Sequence, residues 1–370
     1  MNTTHHKKIL ISGASFAGLC TAYWMIKLGY KVTIVEVAAG IKKGGTPVDI
    51  IGKTIETVKR MGIFDEIYAN RVTMEKMEFK SADDFTLRTD FHGQRPEIEY
   101  EVERDALLEM IHDLIKDEAQ FIYGDSITGL TENEEHIEVT FKKTQPMAFN
   151  LVFGCDGIHS AVRKHWFGPE ADFSHFLQAY FSITIVDKLL IDENSTQMYS
   201  EPGKTVMLNG YNGKTDICFA YHSEKELTYD YRNEQQQRDM IFDQFKDTGW
   251  RAAELLEEVR KSKTFYFDKL CQVKMPSWTK GRVALVGDAG YCASPAAGRG
   301  GSLAIDGAAA LAGAFEKANG DYKAAFAEYN ESFRPFIEEI QAGVVDYGVD
   351  ILIPKTWETI DKRNKEGFNF

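Results

Sequence analysis

The chain has 370 residues, of which 44% are hydrophobic and 27% charged, with a formal net charge of -13. That is enough apolar sequence for two or three domains with their own cores, while an acidic balance without a long Lys/Arg run argues against a nucleic-acid partner. Five scattered cysteines (Cys20, Cys155, Cys218, Cys271 and Cys292) form no CxxC and no Cys/His grouping, so a disulfide framework and a metal site are not expected and a reducing cytoplasm is.

Residues 9–26 carry no charge and follow His5-His6-Lys7-Lys8, which imitates a targeting segment. Gly13, Ser15 and Gly18 at fixed spacing argue instead for a strand–turn–helix–strand unit with a phosphate turn, and no stable membrane association is expected. Residues 9–12 read as a buried strand, 13–18 as the turn, 19–28 as a helix, and 31–35 as a second strand ending at Glu36. In such a turn the first glycine makes the bend, the second lets backbone approach a pyrophosphate, and the third lets the helix pack on the strand. Ser15 holds the second position, where it keeps the amide and adds a hydroxyl; Phe16 and Ala17 complete the turn. Glu36 has the reach to accept hydrogen bonds from an adenosine ribose. Val37-Ala38-Ala39 offers no arginine for a 2′-phosphate, so the site suits FAD or NAD better than NADP.

A loop then runs through Gly44-Gly45-Thr-Pro-Val-Asp49, followed by helical spacing at 55–61 and 63–68 and by alternation over 72–91 around a turn at 81–84. An amphipathic helix is expected over 102–115, with Arg104 near its start reaching an anion or a neighbouring loop. Strands follow at 121–123 and 136–141. In Gly154-Cys-Asp156-Gly157-Ile-His-Ser160-Ala-Val-Arg163, Asp156 stands at the end of a strand, where open α/β sheets place ligand groups. Ser160 and Arg163 read as solvated residues of a helix start.

From 180–186 and 198–221 the chain has β-meander character, with Ile217, Phe219 and Tyr221 as alternating candidates for a pocket wall. Helices are expected at 233–246 and 251–261 and a strand at 264–274. The last informative stretch is 281–304: an apolar strand, Gly287-Asp288, a turn at Pro295, then Gly298, Gly300 and Gly301 opening an alanine-rich helix. Alanines permit close packing, bare glycine amides approach a ligand, and the helix start points positive charge at it, which makes a floor for a large, anionic, planar cofactor. A helical segment covers 321–350.

Three motifs therefore stand in order: Gly13-x-Ser15-x-x-Gly18 with Glu36, Asp156-Gly157, and Gly287-Asp288 with Pro295-x-x-Gly298-x-Gly300. Together they closely resemble the FAD-dependent aromatic hydroxylases of the para-hydroxybenzoate hydroxylase family, and the loop ending at Asp49 further resembles the branch of tetracycline-inactivating monooxygenases. The resemblance implies an α/β fold. Its Rossmann-like FAD-binding domain is discontinuous (1–71, 96–175 and 267–320), a mainly antiparallel β-sheet substrate domain covers 72–95 and 176–266, and a long C-terminal helical segment covers 321–370. It implies that Gly13, Ser15, Phe16, Ala17 and Gly18 hold the FAD pyrophosphate, with Arg104 on the same side. Glu36 takes the adenosine ribose and Asp288 the ribityl chain. Pro295, Gly298, Gly300 and Gly301 line the flavin ring, Asp49 belongs to the cofactor loop, and Asp156 serves FAD and NAD(P)H binding. Pro295 also joins the substrate wall.

The implied reaction is reduction by NAD(P)H, reaction with O2 to a flavin C4a-hydroperoxide, and hydroxylation of an aromatic or polycyclic small molecule, tetracycline-like antibiotics among the candidates, by a monomer or homodimer. Ser15, Tyr291 near the usual histidine position and Arg299 where glutamine is frequent depart from the pattern. Arg299 either stabilises charge beside the reduced flavin or is a solvated loop residue. An FAD-dependent reductase on the same fold and a non-catalytic flavin-binding protein are the alternative readings.

Overall fold

The computed structural model describes residues 7–91 and 99–367, without the side chains of 346 and 347; the expected boundary at 95/96 and the His5-His6 pair lie outside them. Among the described residues the chain builds two large sheets. The first has six strands in the order Thr279–Lys280, Val283–Leu285, Leu151–Gly154, Lys8–Ser12, Lys31–Glu36 and Gln120–Tyr123. All pair in parallel except the short Thr279–Lys280 edge. Parallel strands covered on both faces need near-continuous apolar runs. Ile9, Leu10 and Ile11 in the middle are accordingly without exposed surface.

One layer over this sheet comes from the helix Phe16–Lys27, in which ten of twelve residues are buried. A helix apolar all round must be covered all round. Its second cover is the helix Gly300–Lys317, whose small residues Ala304, Ala308 and Ala312 permit close approach.

The second sheet has seven strands in the order Tyr266–Val273, Ser174–Val186, Lys214–His222, Lys204–Tyr211, Ser195–Glu201, Lys76–Lys80 and Thr86–Phe91. Every pairing is antiparallel except Ser195–Glu201 with Lys76–Lys80, so the early hairpin is added to the meander in parallel. The sheet extends past the boundary expected at 266: Tyr266–Val273 pairs along its length with Ser174–Val186. The helices Glu234–Phe245 and Ala252–Lys261 cover its outer face through Ile241, Phe245, Leu255, Leu256 and Val259.

The expected C-terminal helix is divided. Tyr322–Gly343 lies against the Gly300–Lys317 helix, a π-helical turn follows at Val344–Gly348, and Trp357–Glu366 docks on the second sheet. Between them Val344, Val349 and Ile353 pack with Ala179, Phe181, Ala220 and Leu270 of the sheet's inner face.

Candidate cofactor site

The turn after the first strand is fixed by sterics. Gly13 has φ +104°, and a Cβ there would meet the Cys155 carbonyl oxygen at 2.4 Å. A Cβ on Gly18 would sit 1.9 Å from the Gly13 carbonyl oxygen, so the helix lies directly on the turn. The first helix turn holds no acidic residue, and its leading amides lack intrahelical acceptors. Glu36 closes the far side: its Oε2 accepts from the Ala14 amide at 2.9 Å and its Oε1 from the Ala38 amide at 2.8 Å. This fixes the carboxylate at the end of its strand, beside the turn.

Arg104 reaches a loop rather than open solvent. Its Nη1 donates to the carbonyls of Lys42 (2.9 Å) and Gly44 (2.7 Å), and its Nη2 to Ser15 Oγ at 3.3 Å. Burial lowers its pKa, against the pull of Asp105. The residue thus ties the Lys42–Gly44 backbone to the glycine turn and brings one positive charge to it.

The late Gly-Asp motif enters the same crevice. Gly287 has φ +68°, and a Cβ there would lie 3.0 Å from Ala17 Cβ and 3.5 Å from Ala304 Cβ. Three stretches separated by up to nearly 300 residues therefore converge on one point. Asp288 is exposed at the start of this turn, and burial of its surroundings raises its carboxyl above the usual range. Pro295, Gly298 and Gly300 are exposed along the same rim, and open space surrounds Gly300. Gly301 answers a packing need instead: a Cβ there would strike Val48 at 2.4 Å. Asp49 lies in the strand Val48–Ile51, where its carbonyl accepts from Ser302 Oγ.

Asp156 is committed internally. Its carboxylate accepts from Ser160 Oγ, from the amides of Ala161 (2.9 Å) and Val162 (3.1 Å), and from Ser12 Oγ (3.2 Å). It takes the first amides of the helix Ala161–Trp166, whose N-cap is Ser160, and tethers that helix to the first strand. Arg163, expected to be solvated, is only 1% exposed. Its Nη1 donates to the Ala289 carbonyl at 2.9 Å, one residue beyond Asp288, and its Nη2 to the Ile158 carbonyl. His159 in the same motif bridges Glu170 (2.9 Å) and Asp268 (3.3 Å) of the second sheet's end. Burial works against its charge, but the two carboxylates win and raise its pKa to about 9.

The expected pocket wall faces the other way. Ile217, Phe219 and Tyr221 are at most 2% exposed and join the closed core under the two outer helices. Strand alternation turns their neighbours, Cys218 and Ala220, to the inner face with Phe181, Ile183 and Met207. Ile183, Met207 and Cys218 stay half-buried on that face. The pattern in the sequence names two faces. Only the helices at 234–245 and 252–261, through their apolar sides, decide which is covered.

A bent glycine turn, an acid at ribose reach and a helix start on one crevice fit a dinucleotide carrying a planar ring, and the class they define is the FAD-dependent flavoproteins. Residues 6–340 match the FAD binding domain family, and the chain belongs to it. It is 35% identical over 368 residues to a flavin-dependent monooxygenase from an unknown prokaryotic organism, covering 97% of this chain and 94% of that one. A flavin-dependent monooxygenase of Legionella longbeachae serogroup 1 (strain NSW150) is 35% identical over 90% of this chain and 87% of its own. The crystal structure of tetracycline destructase Tet(55) superposes with a TM-score of 0.86 at 35% identity, covering 98% and 94% of the two chains. The chain is an FAD-dependent monooxygenase of the aromatic hydroxylase type. No helix among the described residues is long and apolar enough to cross a membrane.

Proposed function

We propose that the protein hydroxylates an aromatic or polycyclic small molecule at the expense of NAD(P)H and O2, with tetracycline-like compounds the first class to test. What supports this reading is the convergence of Ala17, Gly287 and Ala304 on one point, which joins the glycine turn to the late Gly-Asp motif, in a chain that matches the FAD binding domain family over residues 6–340.

When bound, FAD supplies the electron storage and oxygen activation that no side chain here provides. The protein's share is placement. The Gly13–Gly18 turn and the first helix start take the pyrophosphate, Glu36 the adenosine ribose, and Asp288 the ribityl hydroxyls. The first-turn amides of Gly300–Lys317 stabilise negative charge at the pyrimidine edge of the flavin, since they are preorganised and need not move. Asp156, Arg163 and Gly301 hold these parts in position through their own hydrogen bonds and packing.

The test is NADH and NADPH oxidation against a panel of aromatic and polycyclic compounds, tetracyclines included. We expect substrate-stimulated oxidation that needs O2 and a product heavier by one oxygen atom. Consumption that proceeds without O2 and yields a reduced product would replace this reading with a reductase. Bound FAD that neither nicotinamide reduces with any ligand would leave a binding protein.

A further inference from the structure

The strands Lys204–Tyr211 and Lys214–His222 of the second sheet are joined by Asn212 and Gly213 alone, and both take positive φ, +46° and +73°. Asn-Gly is the pair that accepts this backbone, whose twist matches that of the strands it joins, so the hairpin ends in a rigid tip. The tip is anchored at its base as well. Tyr211, 2% exposed, donates to Asp216 Oδ1 at 2.7 Å, and the Gly213 amide donates to Glu193 Oε1 at 3.0 Å. From here Asn212 Nδ2 donates to Glu103 Oε1 and Lys214 Nζ to Glu103 Oε2, each at 2.6 Å.

Glu103 immediately precedes the helix Arg104–Asp113, and its side chain makes no capping bond to that helix. Both its oxygens go to the hairpin instead. Burial works against the charge of this carboxylate, but Lys214 and Asn212 outweigh it and lower its pKa. The next two residues turn to the cofactor turn and its loop. Arg104 donates to the Lys42 and Gly44 carbonyls and to Ser15 Oγ, and its guanidinium lies 5.6 Å from the centroid of the Phe16 ring. A Cβ on Gly45 would fall 2.6 Å from Arg104 Cδ, so the arginine stem runs directly against the loop. Asp105 accepts from the Gly44 amide, at 2.8 Å and 3.1 Å to its two oxygens. Three consecutive residues at one helix start thus join the hairpin of the second sheet to the glycine turn.

We propose that Glu103 is a positioning residue for the flavin cofactor, through which the Asn212–Lys214 hairpin tip sets the aim of Arg104 at the glycine turn. This rests on the FAD reading of that turn. A guanidinium serves a pyrophosphate only while its fork stays aimed, and holding a long side chain costs conformational entropy. A helix start that is already fixed removes part of that cost before the ligand arrives. Two charge-assisted bonds from a rigid turn onto one carboxylate supply the fixing. The second sheet thereby contributes to cofactor binding without lending a residue to the glycine turn.

The test uses full-length protein stripped of flavin and titrated with FAD. Lys214→Met and Glu103→Gln are each expected to raise the FAD Kd roughly three- to tenfold, part of what a hydrogen bond to a charged group is worth. Lys214→Arg keeps the charge and the donors and should return the Kd to the wild-type value. A double-mutant cycle then separates positioning from general loosening. In an Arg104→Ala background Lys214→Met should add nothing, because the group it aims is gone. Wild-type affinity in both Lys214→Met and Glu103→Gln would overturn the proposal and leave the cofactor reading standing. An equal effect of Lys214→Met with and without Arg104, or no recovery in Lys214→Arg, would overturn it too. Wild-type protein that takes up no FAD would sink both.

Discussion

Asp288 and Asp306 show how differently two acids of neighbouring elements behave. Asp288 opens into the crevice, and its proposed ribityl contact predicts that Asp288→Ala weakens FAD binding roughly tenfold or more, the scale of a hydrogen bond to a charged group. Titration of apoprotein with FAD measures it, and unchanged affinity contradicts the role. Asp306 points into the core, where it accepts from Thr54 Oγ1 at 2.8 Å and Thr57 Oγ1 at 3.0 Å. Burial lifts its pKa to about 6, the two hydroxyls pulling the other way. The folded state thus binds this proton more tightly than the unfolded chain. Stability from it is full below the ordinary carboxylate pKa and is lost as pH rises toward 6. Asp306→Asn removes that dependence. Between pH 4 and pH 7 the variant's stability should rise relative to wild type by about 2–3 kcal/mol, read from paired thermal melts. A constant difference across that range would refute the assignment.

At the scale of elements, the decisive contacts are backbone against backbone. Gly18→Ala places a methyl 1.9 Å from the Gly13 carbonyl oxygen, where no flexible atom can yield. We expect a loss on the order of 3 kcal/mol and purification without bound flavin, checked by melting temperature and absorbance. Such positions are legible in a sequence because the requirement is local: strand, bend and helix follow one another within about 25 residues, and glycine spacing records the fit. The Gly287-Asp288 floor was legible for the same reason. The inner face of the second sheet was not. Period-2 alternation is equally good for Ile217, Phe219 and Tyr221 as for Asp216, Cys218 and Ala220, and the choice depends on helices that follow later in the chain. Arg163 was misread because its acceptor, the Ala289 carbonyl, lies 126 residues away.

For the whole molecule, the C-terminal chain acts as a brace. Tyr322–Gly343 rests on the cofactor helix, and Trp357–Glu366 rests on the second sheet through Arg363, which is 6% exposed and donates to Ser200 Oγ at 3.0 Å. Ile353, with no exposed surface, is packed midway in the cluster shared with Phe181 and Ala220. Ile353→Ala should cost about 2–5 kcal/mol and loosen the brace at its middle. The check is a lower melting temperature with faster proteolytic release of the C-terminal segment; a change in neither contradicts the brace.

The order in which the first sheet is assembled bears on how the protein is made. Its strands at Lys8–Ser12, Lys31–Glu36, Gln120–Tyr123 and Leu151–Gly154 leave the ribosome before the second sheet's long strands, but Val283–Leu285 and the helix Gly300–Lys317 emerge only after them. Until then the apolar helix Phe16–Lys27 lacks one of its two covers, and the growing chain carries that bare surface. FAD has no complete site to bind during this time.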